Sequence, residues 1–230
     1  MLLPGFGESY VSPRIRLLLA VMFAILLTPV IKNLPEMPVA VFGLVTLIVA
    51  EILTGLFLGG ISRIIISATH TAGTIIALQS SLASALVQDV TQIQGQVSPI
   101  GNLLGMATIV LIFIMDLHHL MLRGLMDSYS LFLPGHFPIV EDFANYATQG
   151  LSGAFNAALK LSAPHIVVGL ILFLGAGIIA RLVPNIQIFF LLMAPQILIS
   201  FFILMICFSS MMIWYMEYFK ESLNHFIAPA

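Results

Sequence analysis

Read from one charge to the next, the chain is a series of uncharged stretches: Leu17 to Ile31, Pro38 to Ala50, Ile52 to Ser62, Ile64 to Gln88, Val90 to Met115, Leu161 to Ala180 and Leu182 to Met216. Several reach the ~20 residues that cross a hydrocarbon core of ~30 Å, and others fall short. Apolar residues surround these stretches without a clear polar face. None shows the period-two alternation over ~10 residues that marks an outer-membrane barrel strand. The pattern predicts an all-α, multi-helix integral membrane protein. Glu51 and Asp116 interrupt two long segments; the last segment holds Pro184 and Pro195, so it is either two packed helices or one kinked helix. Polar interludes fall at Lys32 to Pro38, Gln88 to Asn102, Asp127 to Gln149 and from Glu217 onward. With no internal repeat and no low-complexity tail, residues 1–230 read as one domain.

Composition strengthens the membrane reading. Hydrophobic residues make up 60% of the 230 and charged residues 8%, where a soluble chain carries roughly 25% charged. A mean hydropathy of +1.11 leaves too few charges to coat a water-exposed surface, which excludes most soluble enzymes and binding modules. The eight Lys and Arg are scattered singly and the net charge is −2, so no basic patch exists to neutralise a run of phosphates and nucleic acid is not an expected partner. One cysteine, Cys207, excludes an internal disulfide framework and reads as a buried small hydrophobe. Basic residues occur in nearly every connection, so the positive-inside count gives no clear topology. Arg14 and Arg16 precede an apolar run that ends in Leu27-Thr28-Pro29 without a small-residue cleavage site, which favours a retained segment.

Three constellations stand out. Gly73, Ala77, Ser81 and Ala85 are spaced four apart and line one helix face, where small side chains let a neighbouring backbone come close. The stripe serves either packing within the chain or an intersubunit contact. Gln88, Asp89, Gln92, Gln94, Gly95, Gln96, Ser98, Pro99 and Gly101 belong to an interlude ending at Asn102, too polar to face lipid. It is either an interfacial loop or the lining of a cavity, and neutral amides there would meet a passing chain without trapping either sign of charge. Asp116, His118 and His119 invite a metal or proton-relay reading, because ionisable groups in apolar segments are costly. On a continuous helix, however, Asp116 and His119 share a face and His118 points about 100° away, so no metal is assigned and a polar patch is expected, either hydrogen-bonded in the bundle or lying at the segment's end. Glu51 is a lone carboxylate whose economical partner lies on another helix or chain. No GxSxG elbow, HExxH, P-loop or Rossmann turn is present. Neither a catalytic residue nor a cofactor is expected.

The opening Leu2-Leu3-Pro4-Gly5-Phe6-Gly7-Glu8 through Pro13-Arg14-Ile15-Arg16 resembles the early region of the FliR family, the R component of the flagellar type III export gate. Agreement continues through His70-Thr71-Ala72-Gly73 to Gln79, around Asp116, His118 and His119, and at Val183-Pro184-Asn185-Ile186 with Ala194-Pro195. The order is kept nearly from end to end. The resemblance implies a non-enzymatic subunit whose long helical hairpins pack in an oligomeric gate with the P and Q subunits, beside the B and A components. Such a gate sits in the bacterial inner membrane at the flagellar basal body, and unfolded flagellar proteins pass through it. The resemblance also implies helices drawn largely out of the bilayer plane, which would account for the failed topology count. It makes the glutamine-rich interlude, Gln88 to Asn102, a channel plug, a role suited to a two-state element carrying Gly95, Pro99 and Gly101. Family members usually carry another hydrophobic helix ahead of the Leu-Leu-Pro-Gly-Phe-Gly motif, so the chain is expected to lack that first helix. Two competing expectations remain: an injectisome export subunit, and a small-solute transporter or channel coupled through Glu51, Asp116 and the histidines.

Overall fold

The computed structural model describes residues 2–8, 10–29, 40–81, 98–131, 140–182 and 188–227. Among the described residues there are six helices and no strand: α1 (Pro13–Leu27), α2 (Val41–Gln79), α3 (Pro99–Ile114), α4 (Leu117–Leu131), α5 (Val140–Leu182) and α6 (Ile188–Ile227). The fold is all-α, as the hydrophobic pattern predicts. Val41–Gln79, Ala144–Leu182 and Leu191–Asn224 are each long and apolar enough to cross a membrane. Pro99–Ile114 and Leu117–Tyr129 make a fourth candidate if the pair, bent by 78°, is one span. α2, α5 and α6 hold 39, 43 and 40 residues. At 1.5 Å per residue they run ~60 Å.

Local chemistry explains how such apolar helices carry polar residues. Thr54, Ser62, Thr74, Thr108 and Ser162 each donate a hydroxyl to the carbonyl four residues earlier, so these side chains are satisfied inside their own helix. Pro13 opens α1, where its missing N–H costs nothing. Pro164 and Pro195 lie inside α5 and α6, each removing one backbone donor. Of the last apolar segment, Leu182 closes α5 and the residues from Ile188 onward form one helix, α6, that continues through Pro195; Pro184 lies outside the described residues.

Contacts divide the chain into two compact units, each assembled from separated stretches. The first comprises Met1–Ile66, Ile109–Gly153 and Phe219–Ala230. Its N-terminal turn is held by specific groups. Gly5 has φ +83°, and the site of its absent side chain is filled by the Phe113 ring, 2.5 Å from where a Cβ would stand. Phe6 meets Phe23 and Phe113 edge-on, with ring centroids 5.8 and 5.6 Å apart. Arg63 of α2 donates through Nε to the Leu2 carbonyl and through Nη2 to the Gly7 carbonyl, both at 2.9 Å. Ile61, Ile65, Ile112, Leu117, Met121 and Phe219 are buried here.

The second unit comprises Ser67–Thr108 and Ala154–Tyr218. Its buried positions are rich in small side chains: Ala68, Ala72, Ala77, Ala154, Ala157 and Ala158, with Ile76, Leu104 and Tyr215 filling between them. Gly73 of α2 lies directly against Gly101 of α3; a Cβ on Gly73 would fall on the Gly101 backbone and 2.8 Å from the Ile100 carbonyl carbon. Only glycine admits that approach. Lys160 stands over the Trp214 ring at 5.6 Å, and Trp214 stacks on Tyr218 at 5.8 Å.

These contacts have measurable consequences. Gly73→Ala places a methyl group into backbone and should destabilise the chain by about 1–3 kcal/mol, whereas Gly55→Ala, with nothing within 4 Å, should be neutral or gain up to about 1 kcal/mol of helix propensity. Apparent thermal midpoints in detergent would separate the two, at about 2–4 °C per kcal/mol. Arg63→Met keeps the aliphatic stem and removes both donors, so chymotrypsin should cleave after the exposed Tyr10 several-fold faster than in the parent chain; an unchanged rate would show that the turn holds without Arg63.

Candidate functional site

The glutamine-rich segment is a polar interruption between apolar helices, and its two roots are built into the second unit. Gln88, Asp89, Gln92, Gln94, Gly95 and Gln96, together with Ala85 of the small-residue stripe, lie outside the described residues. The root that leaves it is fully visible. The Ser98 hydroxyl accepts the Gly101 N–H at 3.3 Å and donates to the Gly73 carbonyl at 3.2 Å. Ser98 is thus the cap of α3, with Pro99 in the first helical position. This moves a boundary: Pro99 and Gly101 do not belong to a loop running to Asn102, because Ser-Pro starts the helix at Pro99. Gly101 serves the close approach to Gly73.

The entering root is a polar clamp. α2 ends at Gln79, and the next residues turn, with Ser81 at φ +57°. Gln196 of α6 donates its amide to the Gln79 carbonyl at 2.5 Å and accepts the Ser81 hydroxyl at 2.9 Å. One buried side chain therefore occupies a carbonyl that a helix C-terminus leaves unpaired and fixes the turn beyond it. His165 of α5 bonds the Ser200 carbonyl through Nε2 at 3.3 Å, while its Nδ1 is buried with no partner. Gln79, His165, Gly169, Gln196 and Ser200 surround a cavity of about 10 Å³, the space of a single water. A larger cavity of about 230 Å³ opens beside Leu78, Ser81, Phe173, Met193, Pro195 and Gln196.

Of the small-residue stripe, Gly73 packs against Gly101, Ala77 is buried, and Ser81, beyond the end of α2 and so off its helical face, bonds Gln196. Glu51 finds its partner on another helix, accepting the Tyr129 hydroxyl at 3.3 Å within the first unit. Asp116, His118 and His119 are arranged otherwise than a continuous helix would place them. The helix breaks after Ile114, Asp116 adopts φ +56°, and α4 restarts at Leu117. Asp116 therefore stands outside the helix that carries the two histidines, and one ligand atom from each of the three residues lies within 4.8 Å of the others. The two imidazoles tilt together with centroids 4.2 Å apart, and His118 faces Phe113 at 5.1 Å. Gln196, His165 and Arg63 are the residues that sequence reasoning did not single out. The available signal was their polarity inside or beside apolar runs.

The family model of bacterial export proteins, family 1, matches residues 1–222. The flagellar biosynthetic protein FliR of Caulobacter vibrioides is 30% identical over 227 residues, covering 98% of this chain and 90% of the relative. FliR of Bacillus subtilis is 29% identical over 210 residues, covering 90% and 80%. The Yop proteins translocation protein T of Yersinia pestis is 29% identical over 191 residues, covering 82% and 73%. With the family spanning residues 1–222 and a 30% identical relative aligned along nearly the whole chain, the protein belongs to the bacterial export proteins of family 1, as a member of the FliR family.

Proposed function

We propose that this chain is a structural, non-enzymatic subunit of a flagellar type III export gate, a single export-gate domain over residues 1–230 set in the bacterial inner membrane at the flagellar basal body. The observation that carries the reading is the family match along residues 1–222, joined by relatives that are themselves flagellar biosynthetic proteins. Its partners are the P and Q subunits and, beside them, the B and A components, and its cargo is flagellar polypeptide in transit, unfolded. The apolar surface left on α1 and α2 supports packing against other helices: Leu17, Val41 and Phe42 are 68%, 81% and 79% exposed. The Yersinia relative supports a virulence-secretion reading in the second place, and its shorter alignment ranks it behind the flagellar one. A solute transporter coupled through Glu51 would work alone in vesicles and fail with Glu51→Ala.

The glutamine-rich segment is the plug of this gate. Its roots support the role: a closure that yields to substrate and then reseals needs fixed ends, and Gln196 and Ser98 supply them. Deleting Gln92 to Gln96 leaves both roots intact and should make the assembled gate leaky to ions while P and Q still co-purify; unchanged membrane conductance would overturn the plug. Gln196→Ala frees the Gln79 carbonyl and the Ser81 hydroxyl, and should lower stability by about 1–3 kcal/mol, read as a lower apparent midpoint in detergent.

A further inference from the structure

The break between α3 and α4 gathers three metal-ligating side chains on one turn of the first unit. We propose that Asp116, His118 and His119 bind a divalent first-row transition cation, zinc foremost, independently of the export reading. The donor set is one carboxylate oxygen and two imidazole nitrogens. Zinc and its neighbours take such a set readily, whereas magnesium and calcium prefer oxygen alone.

The geometry is close to what one ion requires. Ligands at about 2.0–2.2 Å from zinc stand about 3–3.5 Å from each other in a tetrahedral arrangement, and here the three ligand atoms already lie within 4.8 Å of one another. Asp116 and His119 are exposed and His118 is partly buried, so modest rotation of the two free side chains closes the set. His118 is the most enclosed of the three, its ring facing Phe113 at 5.1 Å. Its Nδ1 is buried and has no hydrogen-bond partner, an omission that a native site seldom leaves unexplained. The backbone agrees. Asp116 holds φ +56°, a conformation uncommon outside glycine that concentrates at ligand clamps. It sets Asp116 just ahead of the first turn of α4, which carries His118 and His119. The positive end of the α4 dipole opposes a cation, and the Asp116 carboxylate at that same end offsets it. Three protein ligands leave one position for water. A bound ion would fix the turn and, through it, the 78° bend between the two helices.

The full chain, purified in detergent on a histidine-free tag and stripped with chelator, should bind one equivalent of Co2+ with visible d–d absorption that Zn2+ abolishes. Asp116→Asn and His119→Gln, both at exposed positions, should each weaken Co2+ binding by at least about tenfold with helical content and elution unchanged. His118→Gln should do the same if it folds. No Co2+ binding by the parent chain, or equal binding by Asp116→Asn and His119→Gln, would overturn the site.

Discussion

The second unit depends on how closely two backbones approach at Gly73 and Gly101. Between helices in lipid there is little hydrophobic gain from association, because acyl chains are as apolar as leucine; van der Waals contact and hydrogen bonds must do the work. Bringing the helices together at a glycine pair supplies both. It buries Ala72, Ile76 and Leu104 in dense contact, and it sets the Ser98 hydroxyl within reach of the Gly73 carbonyl. The crossing thus determines where α3 begins, and so where the polar segment before it must end.

A second constraint follows from the apolar setting. Every buried polar atom in such a chain needs a partner inside the protein. Most hydroxyls meet this requirement locally, on the carbonyl one turn back. The end of α2 cannot, since its last carbonyls have no following turn. Gln196 answers it from across 117 residues, which ties the C-terminus of one long helix to the third turn of another. A glutamine suits the task because its amide is donor and acceptor at once.

How much of this was legible in the sequence depended on the range of each interaction. Local periodicity revealed the helical class and the Gly73–Ala77 face, since both are properties of neighbouring residues. Ser98-Pro99 carried a readable helix-start signal, but the run of glutamines before it made the whole stretch look like loop. The pairing of Gln196 with Ser81 was beyond reach, because nothing in an apolar run indicates which distant helix it will touch. Glu51 plainly called for a partner, yet Tyr129 lay in an interlude with no distinguishing mark. The break at Asp116 was the hardest to foresee: Ile114-Met115-Asp116-Leu117 contains neither glycine nor proline, and the one local trace is Asp116 itself, the charge that interrupts the apolar run and a residue type that tolerates positive φ.

The length of the helices has a consequence for how the chain meets a bilayer. A straight helix of 39 residues, ~58 Å long, would have to lean about 60° from the membrane normal to hide entirely within ~30 Å of hydrocarbon. Observed tilts run from 0 to about 40°. Hydrophobic mismatch of this size cannot be absorbed by tilting alone, so a straight α2 would carry apolar length past the acyl chains. That length needs cover from something other than lipid, and a charge count built for conventional spans has no fixed edge to count from.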